Sequence, residues 1–254
     1  MAKTTRPSRA PKSSQILTLA IDIGGTGLKA SVLDKTGKMT VDRVRVPTPN
    51  PCPPDTMIAA LTELVKPLPS YARISAGFPG VIRDEKVVTA PHFGNDIWRG
   101  FPLEKAIAEA LGKPARVLND AEVQGLGIIE GKRLEVVLTL GTGVGSAIFS
   151  DGRLTPHLEL AHHPIRGDKT YNDYLGNAAK QKIGPKKWNK RVLRMIEIVD
   201  SLINYDTLYI GGGNATHIKD ELPKNVRIAS NDAGITGGIR LWDDDVWLAV
   251  RSFD

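Results

Sequence analysis

Apolar residues run almost unbroken from Ile16 to Ile23 and again from Leu28 to Leu33, with Gly24-Gly25-Thr26-Gly27 between them. Runs of this length on either side of glycines predict the two strands of a hairpin. A polar turn at Thr36–Lys38 and a third apolar stretch, Val41–Val46, extend it to a meander. Ile58, Leu61 and Val65 then recur at helical spacing behind Asp55, predicting a helix capped by that aspartate. "RISAGFPGVI" predicts a strand broken at Pro79-Gly80, and "APHFGNDIWRGFP" a loop. Leu103, Ile107, Ala110 and Leu111 predict a second helix closed by Gly112 and Pro114, and "ARVLND" a short strand ending at Asn119-Asp120.

After the helical "AEVQGLGIIEG", the stretch "EVVLTLGTGVGSAIFSDGRL" repeats the opening plan of apolar strand, glycine turn, apolar strand and polar turn. The chain therefore reads as an internal duplication. Superposing the turns sets Thr139 opposite Asp22, so the glycines are duplicated and the acid is not. A long helix over Lys187–Ile203 is signalled by Trp188, Val192, Met195, Val199 and Leu202, and "DTLYIGGGNATHIKDEL" reads as strand, glycine turn, helix.

The 254 residues are 41% hydrophobic and 24% charged, the balance of a globular protein. A net charge of +6 raises the question of nucleic acid, but Lys3, Arg6, Arg9 and Lys12 supply four of those charges before the first acid, Asp22. Residues 1–15 are thus expected to be a disordered basic tail, and nucleic acid is not expected as a partner. The single cysteine, Cys52, gives neither a disulfide framework nor a zinc cluster. No apolar run approaches the roughly 20 residues that span a bilayer, so no membrane contact is expected and the cytoplasm is the expected location.

Three glycine-rich turns, at 24–27, 141–145 and 211–213, each follow an apolar strand. Glycines there let backbone N–H groups approach a phosphate closely, and Thr26 and Thr142 add hydroxyl donors. A hairpin needs glycine for geometry alone, so it is the threefold recurrence that points to phosphate. The Gly-x4-Gly-Lys-Ser/Thr loop is absent, and Gly141-x-Gly143-x-Gly145 leads into a strand where a dinucleotide fingerprint leads into a helix. The expected arrangement is two hairpins clamping the phosphates of a donor.

"IDIGGTGLKASVLD", "GFPGVI", "LNDAEVQGLG", "LTLGTGVGSAIF", "ELAHHP" and "YIGGGN" stand in the order and spacing of the ROK family of sugar kinases and repressors, and the chain resembles that family over about residues 16–240. "KTYNDYLGNAAKQKIGPKKWNKRV" is similar to its polyphosphate glucokinase subgroup. The resemblance implies an α/β fold of two duplicated actin-like ATPase (ribonuclease H-like) domains around a cleft. Residues 16–120 would form the first and 121–254 the second, with the last segment packing back on the first. It implies a hexokinase that moves a phosphoryl group from ATP, polyphosphate or both to the 6-hydroxyl of glucose or a related hexose.

On the residues alone, Asn119-Asp120 after a strand is more often a helix cap than a catalytic pair. The resemblance places the catalytic base on Asp120 and sugar contacts on Asn119, Asn95, the Pro79-Gly80 wall, Glu159 and His162. Gly24, Gly25, Thr26, Lys29, Gly141, Thr142, Gly143, Gly212, Gly213 and Asn214 fall on its phosphate and nucleotide side. Many family members carry a zinc site built from cysteines after the histidine; here "PIRGDKTYNDYLG" follows instead, so no zinc is expected, and Asp173 is the nearest acid to a second sugar-binding glutamate.

Asp22 reads either as a cap for the turn amides or as an acid holding hydrated Mg2+; its absence from the second hairpin favours magnesium. The basic run from Lys180 to Arg194 reads either as a solvated helix face or, through Lys182, Lys187, Lys190, Arg191 and Arg194, as a polyphosphate track. A homodimer is the family's habit. The rivals are a sugar-sensing regulator, for which the stretch before Ile16 is too short to hold a helix-turn-helix, and a kinase of another polyol or acyl substrate.

Overall fold

Two five-stranded sheets carry the chain, and they repeat one plan. The computed structural model describes residues 16–230 and 232–251; the basic tail expected over residues 1–15 lies outside them. The first half comprises β1 (Thr18–Ile23), β2 (Gly27–Leu33), β3 (Val44–Pro47), α1 (Pro54–Val65), β4 (Arg73–Phe78), the small hairpin β5 (Ile82–Arg83) and β6 (Lys86–Val87), α2 (Asn95–Trp98), α3 (Leu103–Leu111) and β7 (Ala115–Asn119). Then follow α4 (Asp120–Leu126), β8 (Leu134–Leu140), β9 (Val144–Ser150), β10 (Arg153–Leu154), the hairpin β11 (Pro164–Arg166) and β12 (Lys169–Thr170), and α5 (Tyr171–Leu175), α6 (Asn177–Ile183) and α7 (Pro185–Ile203). The chain continues through β13 (Thr207–Gly211), β14 (Val226–Ile228), α8 (Ala233–Thr236) and α9 (Asp244–Arg251).

The strand orders are β3-β2-β1-β4-β7 and β10-β9-β8-β13-β14. In each sheet the first three strands in sequence form an antiparallel meander, and two further strands join parallel to its first. The α/β class and the duplication read from the sequence are both present. In such sheets loops at the carboxyl ends of the parallel strands form the binding crevice. Here those ends deliver Ile23, Phe78 and Asn119 from one sheet and Leu140 and Gly211 from the other.

Each sheet is covered on one face by helices. Met57, Leu61, Leu64 and Val65 of α1 and Leu103 and Ile107 of α3 bury against the first sheet, beside the packed rings of Phe78, Phe93 and Trp98. Trp188, Val192, Met195, Ile196 and Val199 of α7 do the same on the second. The Trp188 indole N–H donates to Leu175 O at 2.8 Å, so the largest side chain of that core also ties α7 to α5. Between the sheets lies α4, whose Val123 and Leu126 share a core with Val137 and Phe149. Gly125 permits this: a Cβ there would stand 2.5 Å from the Phe149 ring. The last segment returns to the first sheet, where Ser75 Oγ donates to Gly238 O at 2.6 Å and the Trp242 indole to Ser75 Oγ at 3.0 Å. The Arg116 guanidinium donates to Leu241 O at 2.6 Å and stacks on the rings of Trp242 and Trp247.

Several elements differ from the sequence reading. Helix α1 starts one residue before Asp55 with Pro53 as N-cap, because prolines at a helix start lose nothing by lacking an N–H. The third strand begins at Val44, and Val41 is exposed. Helix α4 stops at Leu126, where Gly127 lies against the backbone of Gly237. A short helix, α2, stands in the expected loop, and the helix expected after Gly213 is one 3-10 turn at Ala215–His217. Leu202 is exposed; Ile203 packs against the core in its stead.

Candidate active site in the cleft between the sheets

A cleft of about 480 Å³ opens where the carboxyl ends of the two sheets face each other. It is lined by Asp22, Gly24, Gly25, Thr26 and Lys29 from the first hairpin, Pro79 and Gly80 after β4, and Asn119 and Asp120 at the β7–α4 junction. The second half adds Gly141, Thr142 and Gly143, then Glu159 and His162, then Gly212, Gly213 and Asn214. The three glycine turns thus converge on one space.

Each turn is braced from behind. Gly24 N–H donates to Gly27 O at 3.1 Å, and the Thr48 hydroxyl to Gly24 O at 2.6 Å. In the second hairpin Gly141 N–H donates to Gly143 O at 2.9 Å, and Asn177 N–H to Gly141 O at 3.0 Å. The third turn is locked to the second: Asn214 Nδ2 donates to Gly141 O at 3.0 Å, and Lys180 Nζ donates to Asn214 Oδ1. Gly212 has φ 82°, and a Cβ there would lie 2.5 Å from Leu140 O, so this turn admits only glycine without strain.

Asp22 and Thr139 explain the asymmetry of the duplicated hairpins. Asp22 pairs across the ladder with Lys29, whose Nζ lies 2.7 Å from Asp22 Oδ2. At the matching place Thr139 pairs with Gly145 and accepts its N–H at 3.2 Å, a purely local bond. Both side chains line the cleft, but the threonine braces its own turn, whereas Asp22 brings a carboxylate held by a lysine. Among the described residues no group of three or more His, Cys, Asp or Glu side chains is placed to hold a metal ion. A cation bound beside Asp22 must take most of its shell from phosphate and water, the donor set suited to magnesium, and the residues present fit it.

Asn119 caps α4, as the first of the two readings of its sequence has it, and Asp120 stands beside it in the lining of the cleft. Asn119 is the N-cap of α4 within a capping box: its Oδ1 accepts Ala121 N–H at 2.9 Å and Glu122 Oε2 accepts Asn119 N–H at 3.2 Å. Its Nδ2 donates to Gly80 O at 3.1 Å, fixing the Pro79-Gly80 wall. Asp120, the first residue of the helix, faces the cleft and accepts Ala121 N–H at 2.9 Å. Burial first, and then the charge of Asp22, push its carboxyl up to about 7, against the pull of that hydrogen bond.

Glu159 is held by Ala161 N–H at 3.1 Å and lies 3.6 Å from His157 Nε2. Burial alone would raise its carboxyl, but His157, together with the Ala161 N–H and His162, keeps it below the usual carboxylate range.

Two expected sugar residues lie elsewhere. Asn95 is not among the residues lining the cleft: its Oδ1 accepts Ala90 N–H at 2.7 Å, steadying the segment before α2. Asp173 is also outside the lining and closes the capping box of α5, its Oδ2 accepting the Thr170 hydroxyl at 2.8 Å and its own N–H donating to Thr170 Oγ1. The T-x-x-D spacing of Thr170 and Asp173 was the legible signal for that role. The cleft instead presents His92, Arg45 and His157, none of which pattern reading singled out. Arg45 was findable as the cross-strand partner of Lys29.

A second cavity, of about 670 Å³, is lined by Ile165, Arg166, Tyr174, Lys187, Lys190, Arg191, Arg194 and Ile198, and shares no lining residue with the cleft. Lys182 is absent from it. Arg191 is already engaged, donating to Tyr174 O at 2.9 Å and stacking on the Tyr174 ring.

Paired actin-like sheets with phosphate-type turns on both sides of a carboxylate define a class of phosphotransferase folds. The ROK family model matches residues 18–159. The polyphosphate glucokinase of Mycobacterium tuberculosis (strain ATCC 25618 / H37Rv) is 31% identical over 234 residues, covering 85% of this chain and 88% of that relative. The crystal structure of an inorganic polyphosphate/ATP-glucomannokinase from Arthrobacter sp. strain KM aligns with TM-score 0.80 at 29% identity, over 88% of this chain and 97% of that one. A ROK family glucokinase from Streptomyces griseus, solved with glucose and AMPPNP, aligns with TM-score 0.75 at 19% identity, over 89% and 98%, and speaks for the fold. The chain belongs to the ROK family.

Proposed function

We propose that the protein is a hexose kinase transferring a phosphoryl group from ATP or inorganic polyphosphate to the 6-hydroxyl of glucose or a related hexose. The mycobacterial polyphosphate glucokinase and the Arthrobacter glucomannokinase support the activity class. The observation that carries the reading to residues is the place of Asp120, on the first turn of α4 between the glycine turns and the wall formed by Gly80, Asn119 and Glu159.

In this reading the hexose lies between Pro79-Gly80, Asn119, Glu159 and His162, with its 6-hydroxyl at Asp120. The oxygen attacks the terminal phosphorus, the bond from that phosphorus to the donor's bridging oxygen breaks, and the hydroxyl proton passes to Asp120. A base poised near neutrality is matched to that task. N–H groups of the 24–27 and 141–143 turns, with Thr26, Thr142 and Lys29, hold the donor phosphates, and Gly212, Gly213 and Asn214 border the nucleotide. Asp22 would hold magnesium, which would supply positive charge against the donor oxygens.

The basic cavity favours polyphosphate as a second donor. Arg166, Lys187, Lys190, Arg191 and Arg194 gather positive charge in one place, as an extended polyanion requires. The protein is further read as a cytoplasmic homodimer, each chain built of two domains, 16–120 and 121–254, without nucleic-acid or membrane partners. Among the described residues no helix is long and apolar enough to cross a membrane. Initial rates over a matrix of glucose, mannose and N-acetylated hexoses against ATP and polyphosphate test the function. Turnover of a hexose with either donor is expected, and none with any pair would overturn it.

A further inference from the structure

"HLELAHHP" holds three histidines, and the function above uses only His162. His157 is the one set deepest in the site. Its side chain is 13% exposed, and its Nδ1 lies 2.7 Å from Glu122 Oε1. Its Nε2 is buried without a hydrogen-bond partner, yet Glu159 Oε2 stands 3.6 Å away. The same Glu122 holds the N-cap of α4 through Asn119 N–H. One ring therefore spans from the helix that carries Asp120 to the loop that carries Glu159.

Burial alone would push the imidazole down, but the hydrogen bond to Glu122 and the nearby carboxylates of Glu122 and Glu159 raise it to about 9, so the ring is cationic at neutral pH. The groups facing Asp120 are Asp22 from β1, itself paired with Lys29 from β2, Glu122 from its own helix, and Glu159 from the loop. Around Glu159 stand His157, His162 and His92. Two of the three carboxylates that bear on Asp120 are thus within reach of one imidazolium.

We propose that His157 is a positioning residue for phosphoryl transfer: its two N–H groups tie the sugar-binding Glu159 to the capping box of α4, and its charge offsets Glu122 and Glu159 beside Asp120. The unpartnered Nε2–H closes onto Glu159 when a sugar hydroxyl draws that carboxylate inward. This rests on the kinase reading with Asp120 as base.

The test is His157→Gln, followed by hexose and donor kinetics across pH. Loss of a charge-assisted contact to Glu159 is expected to raise the hexose KM about tenfold while the donor KM changes less than about twofold. Uncompensated Glu122 and Glu159 make Asp120 harder to ionise, so the ascending limb of the kcat/KM profile moves about half a unit or more to higher pH. Adding Glu122→Gln to that variant removes one uncompensated charge and is expected to bring the limb back. A hexose KM and a limb both equal to wild type would overturn the proposal, provided Asp120→Asn is inactive; an active Asp120→Asn overturns the base reading instead. In the wild-type protein, NMR of the His157 ring provides a reading that needs no variant: a protonated ring at pH 7.5 is expected, and a neutral one refutes the idea.

Discussion

Asp120→Asn separates the chemical from the structural role of this half-buried acid. The native carboxyl is raised from 3.8 to about 7 by burial and by Asp22, so its ionisation opposes folding. A shift of that size corresponds to at most about 4 kcal/mol, and screening where the side chain meets the cleft reduces it to about 2 kcal/mol. The sign follows from linkage. Between the unfolded and folded values the native state keeps a proton that the unfolded state has lost, so stability falls as pH rises from 4 to 7, and the whole cost is present above 7. Asparagine carries no such cost and still fits the first turn of α4. Its melting temperature is expected to match wild type near pH 4 and to exceed it by several degrees at pH 8. Turnover is expected to drop about 10²- to 10⁴-fold, the usual worth of a general base. Thermal melts at both pH values and a product assay supply the data. A variant equally stable relative to wild type at every pH would refute the electrostatic reasoning, and one with full turnover would remove Asp120 from the chemistry.

Asp22→Asn is expected to lower turnover and shift the magnesium dependence to higher concentration; lost stability with unchanged magnesium dependence would return Asp22 to a structural role. Charge reversal of Lys187, Lys190 and Arg194 to Glu is expected to raise the polyphosphate KM far more than the ATP KM and to flatten its salt dependence, because the lost contacts release fewer counterions. Equal effects on both donors would count against the second cavity as a polyphosphate site. Outside the site, buried Glu135 accepts the N–H groups of Glu130, Gly131 and Lys132 at 2.8 to 2.9 Å and the Tyr209 hydroxyl at 3.1 Å. Glu135→Gln is expected to cost about 2 to 3 kcal/mol in chemical denaturation while leaving kcat intact; an unchanged midpoint would contradict that anchoring role.

The glycine turns were legible because strand and turn chemistry are local: an apolar run, glycines and a second apolar run leave one simple arrangement. The duplication was legible for the same reason, and the two sheets repeat it strand for strand. What pattern could not supply was the partner of each polar side chain. Asp173 resembled a sugar ligand by its place after the His162 motif, yet Thr170 three residues earlier engages it in a capping box. The Asn95 Oδ1 accepts Ala90 N–H, and it is His92, between them in sequence, that lines the cleft. His157 escaped notice because Glu122, 35 residues away, becomes its neighbour only when α4 packs between the sheets. The three-residue β14, with only Val226 buried, is too short to show a period.

The most direct test is 31P NMR of the products when purified protein is incubated with glucose, magnesium and either ATP or polyphosphate. The account predicts glucose 6-phosphate from wild type and essentially none from Asp120→Asn. Donor hydrolysis without sugar phosphate, or phosphate on another hydroxyl, would contradict it.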